Sequence, residues 1–294
     1  MPELPDIVTY VDRLRARFVG KTLTDWKLTS PFLLRTFEPG LEALRRKKLA
    51  AVNHQAKRLV FEFEGPTFAV MHLMVAGRLK LAEPGSKPLF GELIRFEFEG
   101  EVLVLTEVSK KKRASLHLFR DEAGVRALDR GGADPFLLSF EEFERVLRRE
   151  NRTLKRALTD PSIFSGIGNA YSDEILFWAE LSPTALTRNL SEVEVGRLYV
   201  STRHTLRAWI RFLGKQVGDF PEKVTAFRPE MAVHGRFKLP CRVCGAPIAH
   251  IVYKDNETNY CPRCQTGGRI LADRALSRLL KGDFPRTLEE MEGE

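Results

Sequence analysis

The sequence predicts an α+β, multidomain protein: an N-terminal antiparallel β-sandwich or barrel flanked by one helix, then a helical region, then a small cysteine-rich module. Three observations carry this. Eight short apolar-alternating segments crowd between residues 22 and 120, as in antiparallel sandwiches. Helical periodicity dominates after residue 139. All four cysteines fall between Cys241 and Cys264.

In chain order, Ile7, Val8, Val11, Leu14 and Phe18 recur at helical spacing, and Gly20 ends the pattern. Strands are expected at 22–29, 49–54, 58–64, 68–74, 78–82, 93–99, 102–107 and 115–120. Gly65-Pro66 and Gly100-Glu101 supply hairpin turns. Residues 121–135 read as a linker because Gly124, Gly131, Gly132 and Pro135 interrupt any period. Ser139 with Glu142 forms a capping-box signature ahead of Phe143, Val146 and Leu147. Further helices are expected at 153–158, 170–179 and 192–213, with 218–233 a loop. Two ribbon strands follow at 248–255 and 258–260, and Leu271, Leu276, Leu279 and Leu280 suggest an amphipathic tail helix. The expected domains are 1–122, 123–225, 226–266 and 267–294.

The chain has 294 residues, enough for about two cores. No apolar run approaches the ~20 residues of a spanning helix, and no secretion signal is apparent, so a cytosolic protein is expected. Forty-seven basic against 39 acidic residues give a net charge of +8. That favours a polyanionic partner, nucleic acid ahead of a membrane.

Cys241-Arg242-Val243-Cys244 and Cys261-Pro262-Arg263-Cys264 form C-x2-C-x16-C-x2-C, the spacing of a closed four-cysteine site for one structural Zn²⁺. A closed site cannot activate water, so the metal is architectural. At the other end, Met1-Pro2-Glu3-Leu4-Pro5 is a start from which Met is readily trimmed. The exposed secondary amine would carry a carboxylate beside it. An α-amino group titrates near ~8, so part of it is nucleophilic at cell pH, and Glu3 could move protons next to it. The alternative is an ordinary helix start with Pro in its first turn.

Gly166-Ile167-Gly168-Asn169 precedes a helix and suits either an anion site at the helix start or a plain interhelical turn. Lys57 falls between two strands, and the run Ser109-Lys110-Lys111-Lys112-Arg113 suits phosphate binding or a solvated loop. His72 reads as a core histidine.

Together these residues resemble the formamidopyrimidine-DNA glycosylase / endonuclease VIII family. The resemblance spans Met1 to Cys264. It rests on Pro2-Glu3-Leu4-Pro5, Ala56-Lys57, the His72 to Leu79 stretch, Gly166 to Tyr171 and the two cysteine pairs. It implies a β-sandwich, a helix–two-turn–helix domain and a zinc finger, acting on DNA that is oxidised, abasic or distorted, double- or single-stranded. The implied activity is excision of oxidised bases and strand cleavage at the abasic site, by a monomer in a bacterial-type, nucleoid-associated setting. By resemblance, Pro2 attacks C1′ and forms a Schiff base, Glu3 protonates the sugar ring oxygen, and Lys57 contacts phosphate and aids proton transfer. Lys155 and Asn169 bind phosphates around the lesion, and no cofactor beyond zinc is implied.

This chain departs from the family pattern. Asn256 stands at the finger tip, where relatives carry arginine. Val75 takes the place of the wedge methionine, Arg113 supplies the wedge arginine, and Ala114 or Ser115 replaces the aromatic. The 218–233 loop is shorter than the purine-covering segment of relatives, and about thirty residues follow Cys264. Those changes leave open a lyase with weak base excision, a non-catalytic damage sensor, or a zinc-ribbon factor unrelated to cleavage.

Overall fold

The computed structural model describes residues 1–222, 224–253, 256–271 and 286–292. The chain folds into two compact units. One comprises Met1–Arg130 and Trp209–Thr225, the other Gly131–Ala208 and Ala226–Glu294.

The first unit begins with α1 (Leu4–Phe18), which buries Ile7, Tyr10, Val11, Leu14 and Phe18. At about 2 kcal/mol per buried side chain, that face is what docks the helix. Tyr10 is fully buried, whereas Val8, expected on the packed face, is only half-buried. Past the helix end Gly20 takes φ +87°, and its N–H donates to the Leu49 carbonyl at 2.8 Å, which turns the chain into the strands.

All eight expected strands form: β1 (Leu23–Leu28), β2 (Leu49–Gln55), β3 (Arg58–Phe63), β4 (Thr67–His72), β5 (Gly77–Ala82), β6 (Glu92–Phe98), β7 (Glu101–Glu107) and β8 (Ser115–Phe119). They make two antiparallel sheets, ordered β1-β6-β7-β5 and β2-β3-β4-β8. Leu59, Phe61 and Phe63 of one sheet and Ile94, Phe96 and Phe98 of the other meet in a single core with α1. The opposite face of the second sheet carries Val60, Phe68 and Val70. It is covered by Val125 and Leu128, in and just after a helix that the glycine-rich stretch concealed, α2 (Glu122–Ala127). Asp121 caps it by accepting from the Gly124 N–H at 2.8 Å.

The second unit is helical: α3 (Phe140–Arg148), α4 (Leu154–Thr159), α5 (Asn169–Trp178) and the long α6 (Glu192–Gln216), whose residues from Trp209 onward group with the first unit. The Ser139–Glu142 capping box closes as expected. The rings of Phe143, Phe164 and Tyr199 pack on one another behind it. A ribbon of β9 (Ala249–Val252) and β10 (Glu257–Tyr260) follows, then α7 (Pro262–Thr266) and α8 (Leu288–Glu292). Neither of these last two helices was anticipated. Of the expected tail helix, Leu276, Leu279 and Leu280 lie outside the described residues, as does Asp255 at the ribbon tip. Among the described residues, no helix is long and apolar enough to cross a membrane.

Candidate active site and metal centre

Pro2 and Glu3 lead directly into α1, and both are buried, Glu3 with 3 % of its surface exposed. Glu3 is the N-cap in extended backbone. Its N–H donates to Asp6 Oδ2 at 2.9 Å, and its carbonyl accepts from the Ile7 N–H at 2.9 Å. The terminus is thus part of a packed helix start.

In the full chain the terminal amine belongs to Met1, one residue upstream of the imino group that trimming exposes. Burial pushes that amine below its ordinary 8.0. Nearby Arg78 and Lys57 push the same way, while Glu3 and Asp6 oppose them. Lys57 is itself lowered, by burial above all, with Glu3 counteracting. Glu3 and Lys57 are therefore neighbours. The hairpin that delivers Lys57 turns through Ala56 at φ +52°, a left-handed conformation that costs a non-glycine residue about 1–2 kcal/mol.

The turn bearing Val75 and the loop bearing Arg113 leave the same end of the first sheet, since Gly77 of β5 pairs with Glu107 of β7. Val75 is 54 % exposed. A Cβ on Gly77 would lie 2.3 Å from the Leu73 carbonyl oxygen, so this turn demands glycine. Arg78 fastens it, donating to the carbonyls of Val75 (3.0 Å), Gly77 (2.7 Å) and Val224 (2.6 Å). Glu107 fastens the other loop. Its buried carboxylate accepts the Arg113 N–H (2.9 Å) and the Ala114 N–H (3.1 Å), leaving the Arg113 side chain exposed. Arg78 and Glu107 had not been expected as site residues; Arg78 lies inside the Gly-Arg-Leu motif, but Glu107 gives no signal.

His72, at the end of β4, accepts the Met74 N–H on Nδ1 at 2.9 Å. It is not a plain core histidine. Burial, together with Arg58, Lys57, His117 and Arg130, holds its pKa down to about 4, so it is a neutral acceptor at physiological pH.

In the second unit, Lys155 of α4 and Asn169 at the start of α5 come together. The Lys155 ammonium is buried and donates to the Asn169 carbonyl at 2.7 Å and to Asp173 Oδ1 at 2.5 Å. The Asn169 amide donates to the Glu257 carbonyl at 2.9 Å, next to the exposed Asn256, whose carbonyl closes the ribbon turn with the Tyr253 N–H at 2.7 Å. Asp173 also takes the Asn259 N–H (3.1 Å) and lies 2.8 Å from His234 Nδ1. Beside it, Glu174 accepts three backbone N–H groups, from Ala232 (2.7 Å), Val233 (2.9 Å) and His234 (3.0 Å). Burial still pushes its carboxyl up, with those three amides pulling the other way. Adjacent acids on an apolar helix were the available sign of this arrangement.

The four cysteine Sγ atoms lie within 4.8 Å of one another, with Cys244 and Cys261 at 3.4 Å and Cys241 and Cys264 at 4.0 Å. A tetrahedral ion with Zn–S of about 2.3 Å needs sulfurs about 3.8 Å apart, so the set fits zinc. Gly245 at φ +76° completes the first knuckle. The Val243 N–H donates to Cys241 Sγ and the Cys264 N–H to Cys261 Sγ, donors suited to thiolates. Zinc held by these four sulfurs would be closed to substrate and would stabilise the ribbon.

Three family models match: the formamidopyrimidine-DNA glycosylase N-terminal domain over residues 1–114, its H2TH domain over 132–220, and the zinc finger found in FPG and IleRS over 238–267. The chain is 30% identical to the formamidopyrimidine-DNA glycosylase of Oceanobacillus iheyensis, covering 90% of this chain and 98% of that one. It is 31% identical to that of Thermus thermophilus, covering 91% and 100%.

The chain belongs to the formamidopyrimidine-DNA glycosylase family.

Among solved structures it resembles the Lactococcus lactis Fpg bound to N7-benzyl-Fapy-dG DNA, with a TM-score of 0.82 and 26% identity over 90% of this chain and 100% of that one. The same enzyme bound to abasic-site DNA gives 0.81 and 25%, over 90% and 99%. As a family member it is a DNA N-glycosylase of base excision repair with one structural zinc ion, and its partner is DNA.

Proposed function

We propose that this protein excises oxidised bases and cleaves the resulting abasic strand, using the imino group of Pro2 after removal of Met1. The observation that carries this is the buried Pro2-Glu3 start of α1 beside Lys57. The amine lone pair bonds to C1′ as the glycosidic electron pair leaves with the base, which takes up the proton shed by the new ammonium. Glu3 donates a proton to the ring oxygen as the sugar opens, leaving an iminium. That iminium accepts the electrons released when a C2′ proton departs, and the 3′ phosphate leaves. Lys57 contacts the phosphate flanking the lesion, and Lys155 and Asn169 hold neighbouring phosphates. Val75 and Arg113 occupy the gap left by the flipped base, and Asn256 faces the backbone from the finger tip. The enzyme acts as a monomer on nucleoid DNA in the cytoplasm.

Borohydride trapping on abasic-site DNA tests the assignment: the Met1-trimmed protein should give a covalent adduct that peptide mapping places on Pro2. An adduct mapped to a lysine instead of Pro2, or no adduct, would overturn it.

A second reading, an abasic-site lyase with weak base excision, is favoured by Ala114. It is buried at 3 % exposure and brings no ring to fill a vacated base stack. The readings part on release of a damaged base from intact duplex, which only the full glycosylase performs. Weak opening also favours single-stranded or already distorted DNA. Equal cleavage of matched single-stranded and duplex substrates would refute that preference.

A further inference from the structure

The outer face of the second sheet carries a group of cations that the reaction above does not use. Arg58 of β3 lies directly opposite His72 of β4, which lies opposite Ser115 of β8. Two residues along β8, on the same face, His117 sits opposite Val70. Segment 34–36 runs along the edge of β8: Leu34 bridges Leu116, and the Arg35 N–H donates to the Leu116 carbonyl at 2.9 Å. That sets Arg35 beside His117. The chain leaving α2 brings Arg130 to Arg58, with Asp129 as the accompanying carboxylate. Arg58, His117 and Arg130 thus gather around neutral His72, with Arg35 beside His117.

Their mutual effects run one way. Arg58 is lowered by burial and then by Arg130, with the single carboxylate of Asp129 opposing, and His117 by burial and then by Arg58 and Arg35. Among the described residues, buried His117 Nδ1 has no hydrogen-bond partner. Gathering like charges on a partly buried sheet face costs stability unless an anion joins them. Apolar cover from Val125 and Leu128 on the same face strengthens such an interaction by excluding water.

We propose that Arg35, Arg58, His117 and Arg130 form an anion site for one phosphodiester of the DNA backbone, separate from the phosphates assigned to Lys57, Lys155 and Asn169. Fork-shaped guanidinium groups suit a phosphate's paired oxygens. The proposal rests on the DNA-binding reading and adds one backbone contact to it.

The test is the salt dependence of duplex affinity in the zinc-loaded full chain. Each phosphate neutralised contributes about 0.9 to the slope of log K against log salt. The double variant Arg58→Gln/Arg130→Gln should therefore lose about 0.9 of slope. That equals about 3.5-fold less change in affinity between 50 and 200 mM salt. A control of equal charge, Arg45→Gln/Lys48→Gln, removes two exposed ion-paired cations elsewhere in the first unit and should leave the slope in place.

A double variant with the parental slope, or a control that falls as far, overturns the site. Titration with inorganic phosphate alone, read by NMR at the His117 ring, separates sources. A shift seen in the parent and lost in the double variant, together with the slope change, supports the assignment. A phosphate shift with an unchanged DNA slope means a small-anion site only and overturns it. Failure of the underlying reading is distinct: the unmodified chain would then give no borohydride adduct at all.

Discussion

His72 gives a quantitative test of how the catalytic end of the sandwich is built. In the fold its imidazole is held neutral, with a pKa pushed down to about 4 from 6.5 by burial and by Arg58, Lys57, His117 and Arg130. The unfolded chain therefore binds a proton first as pH falls, so stability drains away below pH 6.5 and levels off near pH 4. Linkage over that interval gives a loss of about 2 kcal/mol between pH 7 and pH 5, and about 3 kcal/mol by pH 4. His72→Gln keeps an acceptor for the Met74 N–H and cannot titrate. Urea unfolding of both proteins at pH 7.0, 6.0 and 5.0 isolates the contribution as the difference between their curves. The parent should converge on or fall below the variant by about 2 kcal/mol over that range. Parallel curves would refute the account. In the parent, Arg58→Gln removes the largest of the charges pressing on His72 and should shrink the pH-dependent loss.

Three further outcomes are expected. Trapping of abasic DNA should rise with pH to a plateau as the Pro2 imino group loses its proton, read from trapping rate against pH. Removing zinc with a chelator, or Cys244→Ser, should unfold residues 238–267, which hydrogen exchange would register as lost protection in β9 and β10. Asp173→Asn strands the Lys155 ammonium in a buried place, at a cost of about 3–5 kcal/mol. Asp173→Asn with Lys155→Met should recover much of it in chemical unfolding.

The strands were legible because alternation and two hairpin turns agree, as in Phe61-Glu62-Phe63-Glu64 ahead of Gly65. The cysteine spacing exposed the metal site because ligand geometry leaves few alternatives. Helix α2 stayed hidden because its middle holds Gly124, and what stabilises it is Val125 against Val60 and Val70, a tertiary contact with no local period. The Pro2-Glu3 start stood out in the sequence as a candidate, but Arg78 and Glu107 did not. Each acts through backbone groups brought near only by sheet register. Lys155 was readable as a cation; its ion pair with Asp173, eighteen positions away, was not.

One helical turn carries Asp173 and Glu174, and both reach into the ribbon side of the second unit, one to Asn259 and His234, the other to three successive amides. Metal occupancy thereby bears on how Lys155 and Asn169 are held. A cell short of zinc, or a thiol oxidised in the knuckle, would slacken that hold and, under the proposed mechanism, leave Pro2 at the far end of the sequence its reactivity.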